Sequence, residues 1–191
     1  MSPERALQIL KEGSARFVNN LKANRDLLKR VNETASGQFP FATILSCIDS
    51  CISAELIFDH GLGDVFSIRI AGNILNTDIL GSMESATKVV GTKIIVVLGH
   101  SKCGAIAGAC NHVEMGNLTG LLQKIEPAMH MEADTVDNRT GTNLEFVERV
   151  AKLNVQHTLA RIKAESPIVA ELEATGDIKL TALFTILKME A

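Results

Sequence analysis

Tryptophan and tyrosine are absent from the 191 residues, and phenylalanine supplies all of the 4% aromatic content. That argues against base-stacking platforms and against aromatic belts at a membrane interface. Positive charge is also short. With 19 Lys and Arg against 22 Asp and Glu, the formal net charge is -3, so no basic field exists for nucleic acid or anionic membranes. No apolar run approaches the roughly 20 residues that span a bilayer. Met1-Ser2-Pro3-Glu4-Arg5 lacks the apolar stretch of a secretory signal. The expectation is a cytoplasmic protein with no nucleic-acid or membrane partner.

What is present is a hydrophobic content of 46%, enough to bury a sizeable core in a chain of this length. Neither a repeat nor a low-complexity tract interrupts it, so the whole of 1–191 reads as one domain. Residues 3–30 carry Leu7, Leu10, Phe17, Leu21 and Leu28 among polar neighbours, which predicts a helix. Ser2 followed by Pro3 is a cap and first-turn pair. A Gly- and Pro-containing linker at 32–40 leads to an apolar run over 41–47, a buried strand. Further strands are predicted at 65–70, 93–98 and 179–187. Helices are predicted at 53–60, 78–90, 104–109, 118–132 and 142–164. Strands alternating with helices predict an α/β fold with a mostly parallel sheet flanked by helices.

Four cysteines, Cys47, Cys51, Cys103 and Cys110, in a reducing compartment are packing residues, metal ligands or redox groups rather than disulfide halves. Cys47 ends the first predicted strand, with Asp49 just beyond it. His100 ends the third, and Cys103 follows three residues later. Open α/β sheets place ligands at such strand ends. Two thiolates and an imidazole suit tetrahedral zinc and leave a fourth position open for chemistry. Strand-terminal cysteines are also common as plain packing, and the spacing alone leaves both readings standing. Cys110, two helical turns beyond Cys103, reads as packing. His60, His112, His130 and His157 have no partner pattern. Arg69 reads as a buried structural pairing.

At these residues the chain resembles the β-class carbonic anhydrases. Cys47-Ile48-Asp49-Ser50, followed by Gly99-His100-Ser101-Lys102-Cys103-Gly104-Ala105, is similar to that family's Cys-x-Asp-Ser-Arg and His-x-x-Cys pair. Gly37-Gln38-Phe39-Pro40, Gly63-Asp64-Val65-Phe66-Ser67-Ile68-Arg69 and Ala71-Gly72-Asn73 match as well. The resemblance implies reversible hydration of carbon dioxide to bicarbonate and a proton. It implies Zn2+ on Cys47, His100 and Cys103, with Asp49 receiving a hydrogen bond from zinc-bound solvent. Gln38 would meet the substrate oxygen from across a homodimer interface. Phe66 and Ala71 would line the pocket, and the Gly104 N–H would meet bicarbonate. The helical arm, residues 1–35, would pack on the partner subunit of a homodimer or dimer-based oligomer.

Two departures from the family pattern stand out. Position 51 is Cys where the family has Arg, so Asp49 loses a charge-assisted partner. Three outcomes follow: Asp49 moves onto the zinc as a fourth ligand, Cys51 approaches the metal, or Lys102 or Arg69 substitutes as the cation. A non-catalytic zinc homologue and a carbonyl sulfide or carbon disulfide hydrolase on the same scaffold are the alternative functions. Residues 183–191 lack the family's Tyr-Asp turn and antiparallel edge strand, so a shortened C-terminal edge is expected. The Trp and Tyr of the bicarbonate regulatory site in some bacterial members are missing too.

Overall fold

The sheet is built on β3 (Ile94–His100), buried along its whole length because neighbours cover both faces and both edges. In this computed structural model, which describes residues 1–35 and 37–186, four strands run in the order β2-β1-β3-β4. They are β1 (Ala42–Ser46), β2 (Val65–Arg69), β3 and β4 (Lys179–Thr185), and every pairing is parallel. The continuous Val, Ile and Leu run of β3 is what a strand covered on both faces requires. β2 is half exposed, as an edge strand should be.

Side-chain alternation divides the core between the two faces. Ile44, Ile94, Val96 and Leu98 point to a face covered by α1 (Pro3–Val18) and α3 (Ala54–Ile57), against Ala6, Leu10, Ile57 and Phe58. Leu45, Ile95 and Val97 point to the other face. There they meet α4 (Thr77–Glu84), α8 (Leu144–Glu165) and α9 (Pro167–Ala174) through Leu80, Met83, Val155, Ile162 and Val169. At the C-terminal end of the strands, α5 (Gly104–Cys110), α6 (Gly116–Leu122) and α7 (Glu126–Met131) close a third cluster around Ile106, Leu122, Ile125 and Phe146. Among the described residues, no helix is long and apolar enough to cross a membrane.

The predicted single helix over 3–30 is two helices. The side-chain amide of Asn19 bonds back to the Ala15 carbonyl at 2.8 Å, and Asn20 takes a φ of 53°. The chain restarts at α2 (Leu27–Thr34), capped by Asp26, whose carboxylate accepts the Lys29 N–H at 2.9 Å. The linker predicted from residue 32 therefore begins after Thr34. α9 was not anticipated, although Ser166-Pro167 is a start signal of the Ser2-Pro3 kind; the Ser166 hydroxyl accepts the Val169 N–H at 3.2 Å. α4 continues into a wider π-turn over Ser85–Val90 and stops at Gly91, φ 91°. Residue 187 of the predicted last strand, and the tail after it, lie outside the described residues.

The arm formed by α1 and α2 is held by charge. Buried Asp59 accepts from Arg16 and, at 2.7 Å, from Arg25, while Arg30 bonds Asp64. α1 lies close to the body because residue 13 has no side chain. A Cβ on Gly13 would stand 1.7 Å from the Phe58 carbonyl oxygen.

Candidate metal centre

Parallel strands end together, and here the ends of β1 and β3 bring Cys47 and His100 side by side. The turn after His100 folds Cys103 back beneath them, with Lys102 at φ 57° providing the reversal. One ligand atom from each of Cys47, His100 and Cys103 lies within 4.8 Å of the others, and all three residues are buried. The two sulfurs are 3.8 Å apart. Two thiolates at about 2.3 Å from a tetrahedral ion would sit about 3.8 Å from each other.

The imidazole is set for the same purpose. His100 Nδ1 lies 3.0 Å from the Ser101 carbonyl, which fixes that nitrogen as the N–H donor. The lone pair is thereby left on Nε2, which is buried without a hydrogen-bond partner among the described residues. An orphaned buried nitrogen is costly unless something accepts its lone pair. A soft divalent ion between two sulfurs is such an acceptor, so the donor set fits zinc.

Electrostatics favour a thiolate at Cys47 in particular. The Cys103 thiol beside it lowers Cys47 to about 4 against the cost of burial, helped by His100 and by the Gly72 N–H. Cys103 is pushed well up, because it keeps the proton the pair shares and is buried. Burial opposes charge on His100, but the neighbouring Cys47 outweighs it and raises the imidazole above its ordinary value.

Gly72 matters for the sulfur. Its N–H lies 3.4 Å from Cys47 Sγ, at a φ of 66° that L side chains rarely adopt. A Cβ there would also come within 2.8 Å of Ile125 Cδ1. The turn is held from behind by α8, where the Asn154 side-chain amide donates to the Gly72 carbonyl at 2.8 Å. Asn154 was missed in the sequence, because a lone Asn on a long helix carries no local signal 82 residues from its partner.

A cavity of about 300 Å³ opens beside Cys47, lined by Asp49, Ala71, Ala105, Gly104 and Leu122. A family model for carbonic anhydrase matches residues 42–189 of this chain. The chain is 34% identical over 188 residues to carbonic anhydrase 2 of Mycobacterium tuberculosis, covering 95% of this chain and 87% of that one. It is 31% identical over 182 residues to the carbonic anhydrase of Mycolicibacterium smegmatis, covering 92% and 84%. A solved structure from work on two tetrameric β-carbonic anhydrases of Sordaria macrospora matches with a TM-score of 0.72 at 29% identity, over 82% and 80% of the two chains. The chain belongs to the β-class carbonic anhydrases.

In this carbonic anhydrase the remaining expected site residues fall into two groups. Ala71, Gly104 and Asp49 share the cavity with Cys47. Gln38 and Phe66 do not; they line a second cavity of about 630 Å³ together with Ile68, Ser82 and Ala86. Phe66 therefore does not line the Cys47 pocket within its own chain. Asp49 is not part of the three-ligand group. Its Oδ1 accepts the Cys51 N–H at 3.0 Å, a turn that turns this oxygen toward position 51. Cys51 is exposed. Arg69 is not the buried pairing expected: it is exposed and bonds main-chain carbonyls. Cys110 is buried in the core, and burial pushes its thiol up to about 11.

Proposed function

We propose that this carbonic anhydrase hydrates carbon dioxide at a zinc ion held by Cys47, His100 and Cys103, and that it does so as a homodimer in the cytoplasm. The observation that carries the reading is the unpartnered Nε2 of His100, buried with two cysteine sulfurs 3.8 Å apart. When bound, zinc lowers the pKa of a coordinated water toward about 7. The residues around it do the rest.

The wall of Ile48, Ala71, Ala105, Leu118 and Leu122 is apolar and suits a small nonpolar substrate. The Cys51 N–H uses Asp49 Oδ1, and the other carboxylate oxygen accepts a hydrogen bond from the attacking water and so orients it. The Gly104 N–H at the start of α5 donates to an oxygen of the bicarbonate product. Gln38 and Phe66, which line a separate cavity in their own chain, reach the site of a second copy. Phe39 beside Gln38 is 87% exposed, as a residue awaiting a partner would be.

Asp49 makes no ion pair among the described residues, whereas the family pattern places an Arg at position 51. Turnover is therefore slower than in relatives that carry the pair. Stopped-flow hydration of carbon dioxide tests the reading, with the protein stripped of metal and reloaded with zinc. The expected result is catalysis above buffer that disappears on stripping, returns on reloading and is absent in His100→Ala. A zinc-loaded protein with no hydration at any pH would overturn it in favour of a non-catalytic zinc homologue. Turnover of carbonyl sulfide alone would assign it to the related hydrolases.

A further inference from the structure

We infer that Arg69 is a positioning residue for the metal centre, its guanidinium holding the main chain that presents Cys47 and Asp49. The inference rests on the zinc reading above and assigns a role to a residue outside the ligand set. Ser46, the last residue of β1, pairs with Arg69, the last residue of β2. The final regular bond between these strands runs from the Ile70 N–H to the Ser46 carbonyl at 3.1 Å. Beyond it the ladder ends just where the chain must deliver its first sulfur ligand, and the next carbonyls need other donors.

Arg69 supplies them. Its Nε donates to the Cys47 carbonyl at 3.1 Å, and its Nη2 donates to the Asp49 carbonyl at 2.6 Å. The Ile52 N–H reaches the same Asp49 carbonyl at 3.0 Å, and the Cys51 N–H reaches the Asp49 carboxylate at 3.0 Å. A guanidinium is planar and its donors are fixed relative to one another. Bonded to carbonyls two residues apart, it sets their separation and the tilt of both peptides. Rotating the Cys47 peptide would swing its Cβ, and the sulfur would leave its place 3.8 Å from Cys103 and 3.4 Å from the Gly72 N–H. Among the described residues, Arg69 is the cation whose hydrogen bonds hold residues 47–52. The side chain of Cys51 offers no guanidinium to this loop. The cation thus acts through the backbone rather than through a carboxylate.

Arg69→Lys and Arg69→Met test this in the full-length protein. Lysine keeps the charge but not the fixed fork; methionine keeps neither. Zinc affinity is measured by competition with a chelator, and cobalt(II) replaces zinc to report the sulfur-to-metal charge-transfer band. Changes outside the ligand set that disturb ligand orientation typically weaken metal binding about 10- to 100-fold. Both variants are expected to lose zinc affinity in that range and to shift the cobalt band, while the metal-free proteins unfold at the wild-type temperature. Folded variants with wild-type affinity and an unmoved band would overturn the inference. So would metal-free Arg69→Lys that fails to fold, since the arginine would then serve the fold rather than the site. If the unmodified protein takes up neither zinc nor cobalt, the metal reading itself fails, an outcome distinct from the other two.

Discussion

Cys51 stands where the sequence reading expected an arginine, and it meets Asp49 through its main chain. Its N–H, not its side chain, holds Asp49, and any amino acid except proline could do the same. A guanidinium at position 51 would add a charge-assisted bond worth about 1.5–3 kcal/mol. Used to orient Asp49, that corresponds to roughly one to two decades in rate. Cys51→Arg is therefore expected to raise hydration near neutral pH by about 10- to 100-fold with zinc content unchanged, as read by stopped flow and metal analysis. An unchanged rate would mean that Asp49 is already oriented by other means. That Cys47, His100 and Cys103 come together was legible, because all three lie at or just beyond strand ends. Arg69 and Asn154 were not legible in that way. Both act on backbone carbonyls, and a carbonyl belongs to every residue, so nothing in the sequence marks the partner.

Among the elements, the β-strands were the easiest to read, since β1 and β3 are short apolar runs with covered faces. The arm was misjudged because its apolar spacing continues through a segment where Asn19, Asn20 and Asp26 end one helix and begin another. Local capping outweighed periodicity there. Asp59 is one of the groups that fix the arm to the body. Arg25, then Arg16, hold its carboxyl well below the usual carboxylate range despite burial. Because the folded value is depressed, its contribution is complete above the unfolded value near 3.9. It fades as pH falls from there toward the folded value. Asp59→Asn is expected to cost about 3 kcal/mol at pH 7, in keeping with a broken buried pair. The gap between variant and wild type in urea unfolding should narrow below about pH 4. A gap that is constant with pH would show that the carboxylate charge is not what holds the arm.

On the scale of the whole molecule, the proposed homodimer needs an interface, and α2 offers an exposed apolar surface for one. α2 buries none of its residues and leaves Leu27, Leu28 and Val31 exposed, with Leu28 at 79%. Gln38 and Phe66 sit away from the chain's own candidate site. Burying one leucine contributes about 1.5–3 kcal/mol, and a two-fold interface would count it twice. On the proposed dimer reading, Leu28→Asp is expected to weaken self-association at least about 10-fold in sedimentation equilibrium and to lower activity on dilution, with metal content unchanged. A variant that stays dimeric would remove α2 from the interface.

X-ray absorption at the zinc edge of the purified protein interrogates the metal centre directly. The expected result is one zinc per chain with two sulfur neighbours at about 2.3 Å and nitrogen or oxygen neighbours at about 2.0–2.1 Å. That is the signature of Cys47 and Cys103 with His100 and one further light ligand. Three sulfurs would bring Cys51 onto the metal and close the site. A spectrum without sulfur would contradict the assignment outright.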